Sequence, residues 1–321
     1  MTGGVTQKTR HPIRGYLFVA ISALLWGASA SIGKAAFQGL LTGEAAQTPI
    51  DAVILAQTRT TLSLSILVPV LLLVFGRDIF RIGRRDFWLC LLMGSVGLVG
   101  ANFFYYYAID KTSVATAITL QYTAPIWVLL YMVTRRLQRA TPQRVSGVVL
   151  AFVGVVLSLG VIRFGAAPLV RFEGLHWDTL GLLASIGAAF SFSFYNIIGS
   201  TLIARNNNWN VFAYALLGSV LFWSIANPPA KIMAAHYSAG QWTFLWLFAI
   251  VSMLIPFSFY LAGLRYLDAT RAVVTACLEP VFAILIATAF LHEQPSWEQG
   301  IGMALVLTAT VLVQVEQKNS G

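Results

Sequence analysis

Long stretches without a charged residue follow one another along almost the whole chain, separated by short polar segments. They run over 15–33, 60–76, 87–109, 112–134, 145–162, 179–204, 206–230, 237–264, 280–292 and 299–315. A helix needs about 20 apolar residues to cross the hydrocarbon core of a bilayer. Most of the stretches reach that length as they stand. The second does so by running back to Ala52 with Arg59 buried inside it, and the ninth by running back to Ala272 with Glu279 inside it. The pattern predicts an all-α integral membrane protein of ten transmembrane helices, with no room for an extramembrane domain. Residues 15–37 read as a retained span rather than a cleaved leader, because no small-residue cleavage site follows a short apolar core.

The pattern also repeats. Residues 108–157 align without a gap on residues 263–312, an offset of 155. Ala117, Pro125, Leu130, Gly147, Leu150, Val156 and Leu157 each meet the same residue in the second copy. The first spans of the two halves match more weakly, through Gly15 with Gly181 and Ala23 with Ala189. Five spans is an odd number, so the second copy has to enter the membrane from the opposite side. The expected organisation is a five-helix repeat over 1–163, a connecting loop over 164–176 and an inverted repeat over 177–321. Pro125 and Pro280 stand at matching places in mid-helix. A proline there removes a backbone donor and frees the carbonyl four residues before it. Interrupted helices at corresponding places in two inverted halves point to a transporter's binding site, with the prolines as its kinks or hinges.

Charge settles the expected orientation. Only 10% of residues are charged, against about 25% in a soluble domain. The net charge of +9 would suggest nucleic acid in a soluble protein. Here the basic residues sort by side of the membrane instead: fifteen fall on the side of the two termini, five on the other, and Arg59 within a span. The positive-inside rule puts both termini in the cytoplasm of a cell whose inner membrane holds the chain.

Charges inside lipid are expensive and face protein, water or a partner. Arg59 and Glu279 are the two that the pattern places deep. They line a polar cavity and take the two ends of a zwitterion, or they are satisfied by backbone, by neighbouring polar groups or by each other. Around them, helical spacing puts aromatic and amide side chains on common faces: Ser22, Trp26 and Ser29; Asn102, Tyr105 and Tyr106; Phe192, Tyr195 and, beside them, Asn196. Gln121 lies one turn before Pro125, and Tyr260 near Pro256. Such a wall suits a flat, partly polar solute. Trp88, Trp177, Trp242 and Trp297 fit interfacial anchors instead. Cys90 and Cys277 both sit in predicted spans, so no disulfide framework or metal site is expected. Enzyme motifs are absent. His11, His176, His236 and His292 all fall near span ends, so no intramembrane base is offered. The expectation is no enzyme and no cofactor.

Three segments carry a family resemblance: AVVTACLEPVFAILIATAFLHEQPSWEQGIGMALVL (272–307), with its polar loop at Glu293, AITLQYTAPIWVLLYMV (117–133) and ALLWGASASIGKAAF (23–37). They resemble the drug/metabolite transporter superfamily, EamA type, and within it the branch of aromatic-amino-acid exporters. The likeness runs over residues 13–315. It implies a central cavity between the halves, alternating access and efflux of small metabolites. Carried onto this chain, substrate would rest against Trp26, Tyr106, Tyr195 and Tyr260. Arg59, Asn102, Gln121 and Asn196 would hold its polar end, with Ser29 and Glu279 beside them. The four-helix multidrug pumps of the superfamily use an acid in their first helix for proton antiport; Trp26 and Ser29 stand in that helix here, which argues against that coupling. The expected function is export of amino acids, aromatic ones favoured, by a chain that works as a monomer. Two alternatives stand: another solute, such as a nucleobase, sugar derivative or cationic drug, and a membrane scaffold or enzyme without transport.

Overall fold

The computed structural model describes residues 12–37, 50–112, 114–164, 170–172, 178–291 and 295–319. Trp177, His11, His176, His292 and Glu293 lie outside them. The chain forms a bundle of long helices. In the first half these are α1 (Pro12–Phe37), α2 (Ala52–Phe75), α3 (Arg84–Leu92), α4 (Val99–Lys111), α5 (Val114–Gln121), α6 (Ala124–Thr134) and α7 (Pro142–Ser158). In the second half they are α8 (Thr179–Ile203), α9 (Asn208–Ala226), the short α10 (Pro229–Ala234), α11 (Ala239–Ala249), α12 (Ile255–Leu264), α13 (Ala269–Ala276), α14 (Glu279–Leu291) and α15 (Trp297–Asn319). Eight segments among the described residues are long and apolar enough to cross a bilayer. Helix α7, at 17 residues, is a shorter apolar helix, and α15 packs along it.

Polar residues set the helix starts. Asp51 accepts from the backbone N–H groups of Val53 and Ile54 at 2.8 and 3.0 Å. Asp178, Asn207 and Asp268 cap α8, α9 and α13 in the same way, and Ser238 with Gln241 closes a reciprocal capping box on α11. Each cap satisfies donors that the first turn leaves unpaired. One feature departs from an all-helical chain. In the connection expected to be loop, β1 (Ile162–Phe164) pairs antiparallel with β2 (Val170–Phe172), Ile162 opposite Phe172.

The interruptions recur in both halves. Between α3 and α4 the helix widens into a π turn over Met93–Leu98, and between α11 and α12 over Ile250–Leu254. Helices α5 and α6 part at residues 122–123, and α13 and α14 at 277–278. Pro125 and Pro280 are each the second residue of the helix after the break. The missing N–H costs nothing at a helix start. The break itself is tightened by short-range bonds, Thr123 N–H to Leu120 O at 3.1 Å and Cys277 N–H to Val274 O at 3.1 Å.

Packing is reciprocal as well. Helix α1 lies against α12, α13 and α14, and α8 against α4, α5 and α6. Helix α2 packs on α9, and α7 on α15. Hydrogen bonds reach the π turns or their edge: Ser63 Oγ donates to the O of Ala249, just before the second, at 3.2 Å, and Ser219 Oγ donates to Gly94 O in the first at 3.0 Å. The central core holds Met93, Leu98, Tyr195, Phe212, Leu216, Phe257 and Leu261, while Leu73, Ile225 and other large apolar side chains are exposed on the outside. An apolar exterior is what lipid tails ask for. Arg271, one of the fifteen cations sorted to the side of the termini, is only 9% exposed, at the start of α13. Its Nε donates to Val313 O at 3.0 Å and its guanidinium pairs with Asp268 at 3.1 Å, so a helix start can bury it.

With little hydrophobic force between helices in lipid, small residues that admit close backbones hold the bundle. A Cβ on Gly94 would collide with the Ala215 carbonyl of α9, whereas one on Gly300 would meet nothing within 4 Å. Gly94→Ala is therefore expected to lower unfolding stability in detergent by about 1–3 kcal/mol through overpacking. Gly300→Ala should be neutral or stabilising by up to about 1 kcal/mol, from helix propensity alone. Equal thermal midpoints for the two variants would refute this packing.

Candidate functional site

The two families of interrupted helices meet around a cavity of about 330 Å³. Its wall is built from α1 (Trp26, Ser29), α2 (Arg59), α4 (Ala101, Asn102, Tyr105, Tyr106, Ile109), α5 and the break after it (Ile118, Gln121, Tyr122), α8 (Phe192, Tyr195), Phe248, Phe257, and the second broken pair (Ala276, Glu279, Ala283). Among the described residues, none of the α6–α7 and α12–α13 connections lines the wall.

Arg59 and Glu279 are the only charged residues of the wall among the described residues. Arg59 is 6% exposed. Its guanidinium donates to Tyr106 Oη at 2.5 Å, to Asn102 Oδ1 at 3.4 Å and to Ser252 O at 2.7 Å, and stands 5.4 Å from the centre of the Phe248 ring. Ser252 lies in the second π turn, whose misaligned carbonyls need outside donors. Asn102 is fixed in turn by its own donation to Leu98 O at 2.7 Å. Glu279 accepts from Tyr122 Oη at 2.8 Å. It opens α14, where the helix dipole favours a negative charge. No ion pair joins Arg59 to Glu279. The cavity thus keeps two separate poles, each held by neutral partners.

Between the poles lies an aromatic wall. Trp26 meets Phe257 edge-on at 5.0 Å between ring centres and Phe192 at 6.3 Å. Three donors of the wall are buried without a partner among the described residues: Trp26 Nε1, Arg59 Nε and Tyr195 Oη. Buried donors are almost always satisfied, so three together point to a guest or water with acceptor atoms.

The EamA-like transporter family matches residues 13–160 and 179–315. This chain belongs to that family. An inner membrane transporter named YicL, from Salmonella typhimurium, is 23% identical to it over 95% of this chain and 96% of its own length. The threonine/homoserine exporter RhtA of Escherichia coli K12 is 25% identical over 71% of this chain and 73% of its own. A crystal structure of another protein superposes with a TM-score of 0.70 at 20% identity, covering 94% of this chain and 97% of that one, which is a likeness of fold. The chain is a multi-span helical membrane transporter.

Of the residues singled out from the sequence of this EamA-family transporter, Trp26, Ser29, Arg59, Asn102, Tyr106, Gln121, Tyr195 and Glu279 line the cavity. Asn196 and Tyr260 do not. Both are fully buried behind the wall, where Tyr260 Oη donates to Asn196 Oδ1 and Asn196 Nδ2 donates to Phe192 O at 2.8 Å. They stiffen the helix that carries Phe192 and Tyr195. Ser29 spends its hydroxyl on Leu25 O at 2.6 Å. Tyr122, Phe248 and Phe257 line the cavity without having been singled out. Only the repeat offset gives a signal for Tyr122, which sits at the first helix break. Nothing comparable marks the two phenylalanines. No group of three or more potential metal ligands comes together among the described residues.

The depth of the cavity can be read by labelling. In a Cys90→Ala, Cys277→Ala background, Ala283→Cys on the wall should react with a water-soluble maleimide about tenfold or more faster than Val128→Cys, which is fully buried. Equal rates would mean that the cavity is closed to water or placed elsewhere.

Proposed function

We propose that this transporter exports amino acids, aromatic ones favoured, by alternating access around the cavity. The observation that carries the reading is the pair of opposite charges in one small chamber, Arg59 with Tyr106 and Asn102 on one side and Glu279 with Tyr122 on the other. A zwitterion answers both at once. A carboxylate takes the guanidinium and the unpartnered donors, and an ammonium takes the Glu279 carboxylate. The side chain rests among Trp26, Phe192 and Phe257. The volume suits one small metabolite, being at the low end for ligand pockets. RhtA, whose name assigns it threonine and homoserine, supports amino acids as the class. A nucleobase or neutral sugar would displace water from both charges without answering either, which is costly.

In this reading the chain has ten spans in two inverted five-helix halves, both termini in the cytoplasm of an inner membrane, and acts as a monomer. The matched helix breaks, the matched π turns and the reciprocal packing of α1 and α8 support the inverted repeat. Gradients decide direction, so the same machine runs outward when the substrate accumulates inside. A competing reading favours small polar amino acids, on the strength of RhtA.

The test is flux of radiolabelled phenylalanine, tryptophan and threonine in liposomes carrying the purified protein, with and without a pH gradient. Saturable flux that unlabelled amino acids compete away is expected. Arg59→Gln should raise KM by about 10–150-fold, the equivalent of a lost charged hydrogen bond of about 1.5–3 kcal/mol. No flux above empty liposomes from folded protein would end the amino-acid reading.

A further inference from the structure

We propose that Tyr122 is a positioning residue of the transport site: its hydroxyl holds the Glu279 carboxylate so that one oxygen faces the cavity and receives the substrate's ammonium group. This rests on the amino-acid reading above. Tyr122 sits at the break between α5 and α6 and is only 8% exposed. Its Oη stands 2.8 Å from Glu279 Oε2 and 3.4 Å from Ala276 O, the carbonyl that Pro280 leaves without its helical donor. A phenol has one proton, and the shorter contact takes it. The hydroxyl therefore ties one broken helix to the other.

The tie matters for what it leaves over. Glu279 lines the cavity, and its other oxygen, Oε1, has no hydrogen-bond donor among the described residues. Arg59, the only cation of the wall among the described residues, is engaged with Tyr106, Asn102 and Ser252 and makes no ion pair with it. A free glutamate side chain samples many rotamers, and fixing it in advance lowers the cost of binding. One charge-assisted bond removes that freedom and aims the remaining oxygen. The repeat also marks the pair as functional rather than architectural. At the offset of 155, Tyr122 corresponds to Cys277 and Glu279 to Ala124, so the other half has no such tie.

The experiment compares each amino acid with its desamino analogue, phenylalanine with phenylpropionate and threonine with hydroxybutyrate, as transported ligands in liposomes. Wild type should prefer the amino acid in at least one pair. In Tyr122→Phe the KM for that amino acid should rise about tenfold toward the value for its analogue, with kcat nearly unchanged and the analogue unaffected. Glu279→Gln should do the same, and the double variant should be no worse than either. An unchanged KM, an equal loss for both members of the pair, or additive losses would each overturn the proposal. Should Tyr122→Phe fail to fold, Tyr122→His supplies a ring N–H in its place. Retained preference for the amino acid then supports the role, and lost preference overturns it. A wild type that prefers neither amino acid refutes the amino-acid reading and this inference with it. A wild type that does, with variants that prefer it equally, refutes Tyr122 alone.

Discussion

No water is at hand in the core of a bilayer, so each polar group this chain buries has to be answered from within the protein or from its cavity. Much of the structure follows from that constraint. The π turns over Met93–Leu98 and Ile250–Leu254 misalign backbone carbonyls, and Ser219, Ser63 and Arg59 reach across from neighbouring helices to serve them or the carbonyl at their edge. The break at 277–278 leaves the Ala276 carbonyl, and Tyr122 turns toward it. Irregular backbone at membrane depth is tolerated only where it is buried in protein or lines a cavity. Here it does both, which is why the interrupted helices converge on the chamber instead of facing lipid.

The same bonds separate what is symmetric from what is not. Ser63 and Ser219 differ by 156 in number, and their acceptors Gly94 and Ala249 by 155, so the two halves stitch themselves together with equivalent bonds. Moving Arg59 by the same 156 lands on Ala215, moving Tyr122 by 155 on Cys277, and moving Glu279 back by 155 on Ala124. The scaffold repeats and the charges do not. A near-symmetric scaffold suits two states of similar energy that face opposite sides of the membrane. An asymmetric set of poles suits a guest with unlike ends, held in one orientation. In the proposed reading the three asymmetric residues are the ones that a substrate would touch or be steered by.

How much of this was legible in the chain depends on the scale of the signal. Apolar runs and the offset of 155 gave the helices, their interruptions and the repeat, because burial and backbone geometry act over many residues and leave a periodic trace. Arg59 and Glu279 stood out for the same reason: a charge in an apolar run is rare and demands a partner. What periodicity could not give was depth along a helix and contact between distant segments. Asn196 lies one position from Tyr195 and shares its helix, yet it turns to Tyr260 behind the wall. Tyr122 adjoins Gln121, but its role appears only when α13 and α14 are brought alongside. Nor does the chain show that the Val313 carbonyl and Asp268 together take up the guanidinium of Arg271.

The end of the molecule around the α6–α7 and α12–α13 connections is held by a different chemistry from the chamber, and the difference bears on how the halves could move. There Arg144 and Arg271 both pair with Asp268 at 3.1 Å, Thr270 Oγ1 donates to Gln138 Oε1 at 2.8 Å, and Asn206 Nδ2 donates to Asp86 Oδ2 at 2.8 Å. All but Arg271–Asp268 run between the first half and the second. Their side chains are partly exposed, Arg144 at 11% and Asp268 at 24%. Ion pairs at such a boundary contribute little net stability, because water replaces the partner when they part. A seal of buried apolar side chains would cost far more to open, about 25 cal/mol for each Å² exposed. A transporter that alternates needs states separated by only a few kcal/mol. A polar seal near water meets that need, while the apolar contacts of α7 with α15 and of α1 with α12 keep the two halves joined.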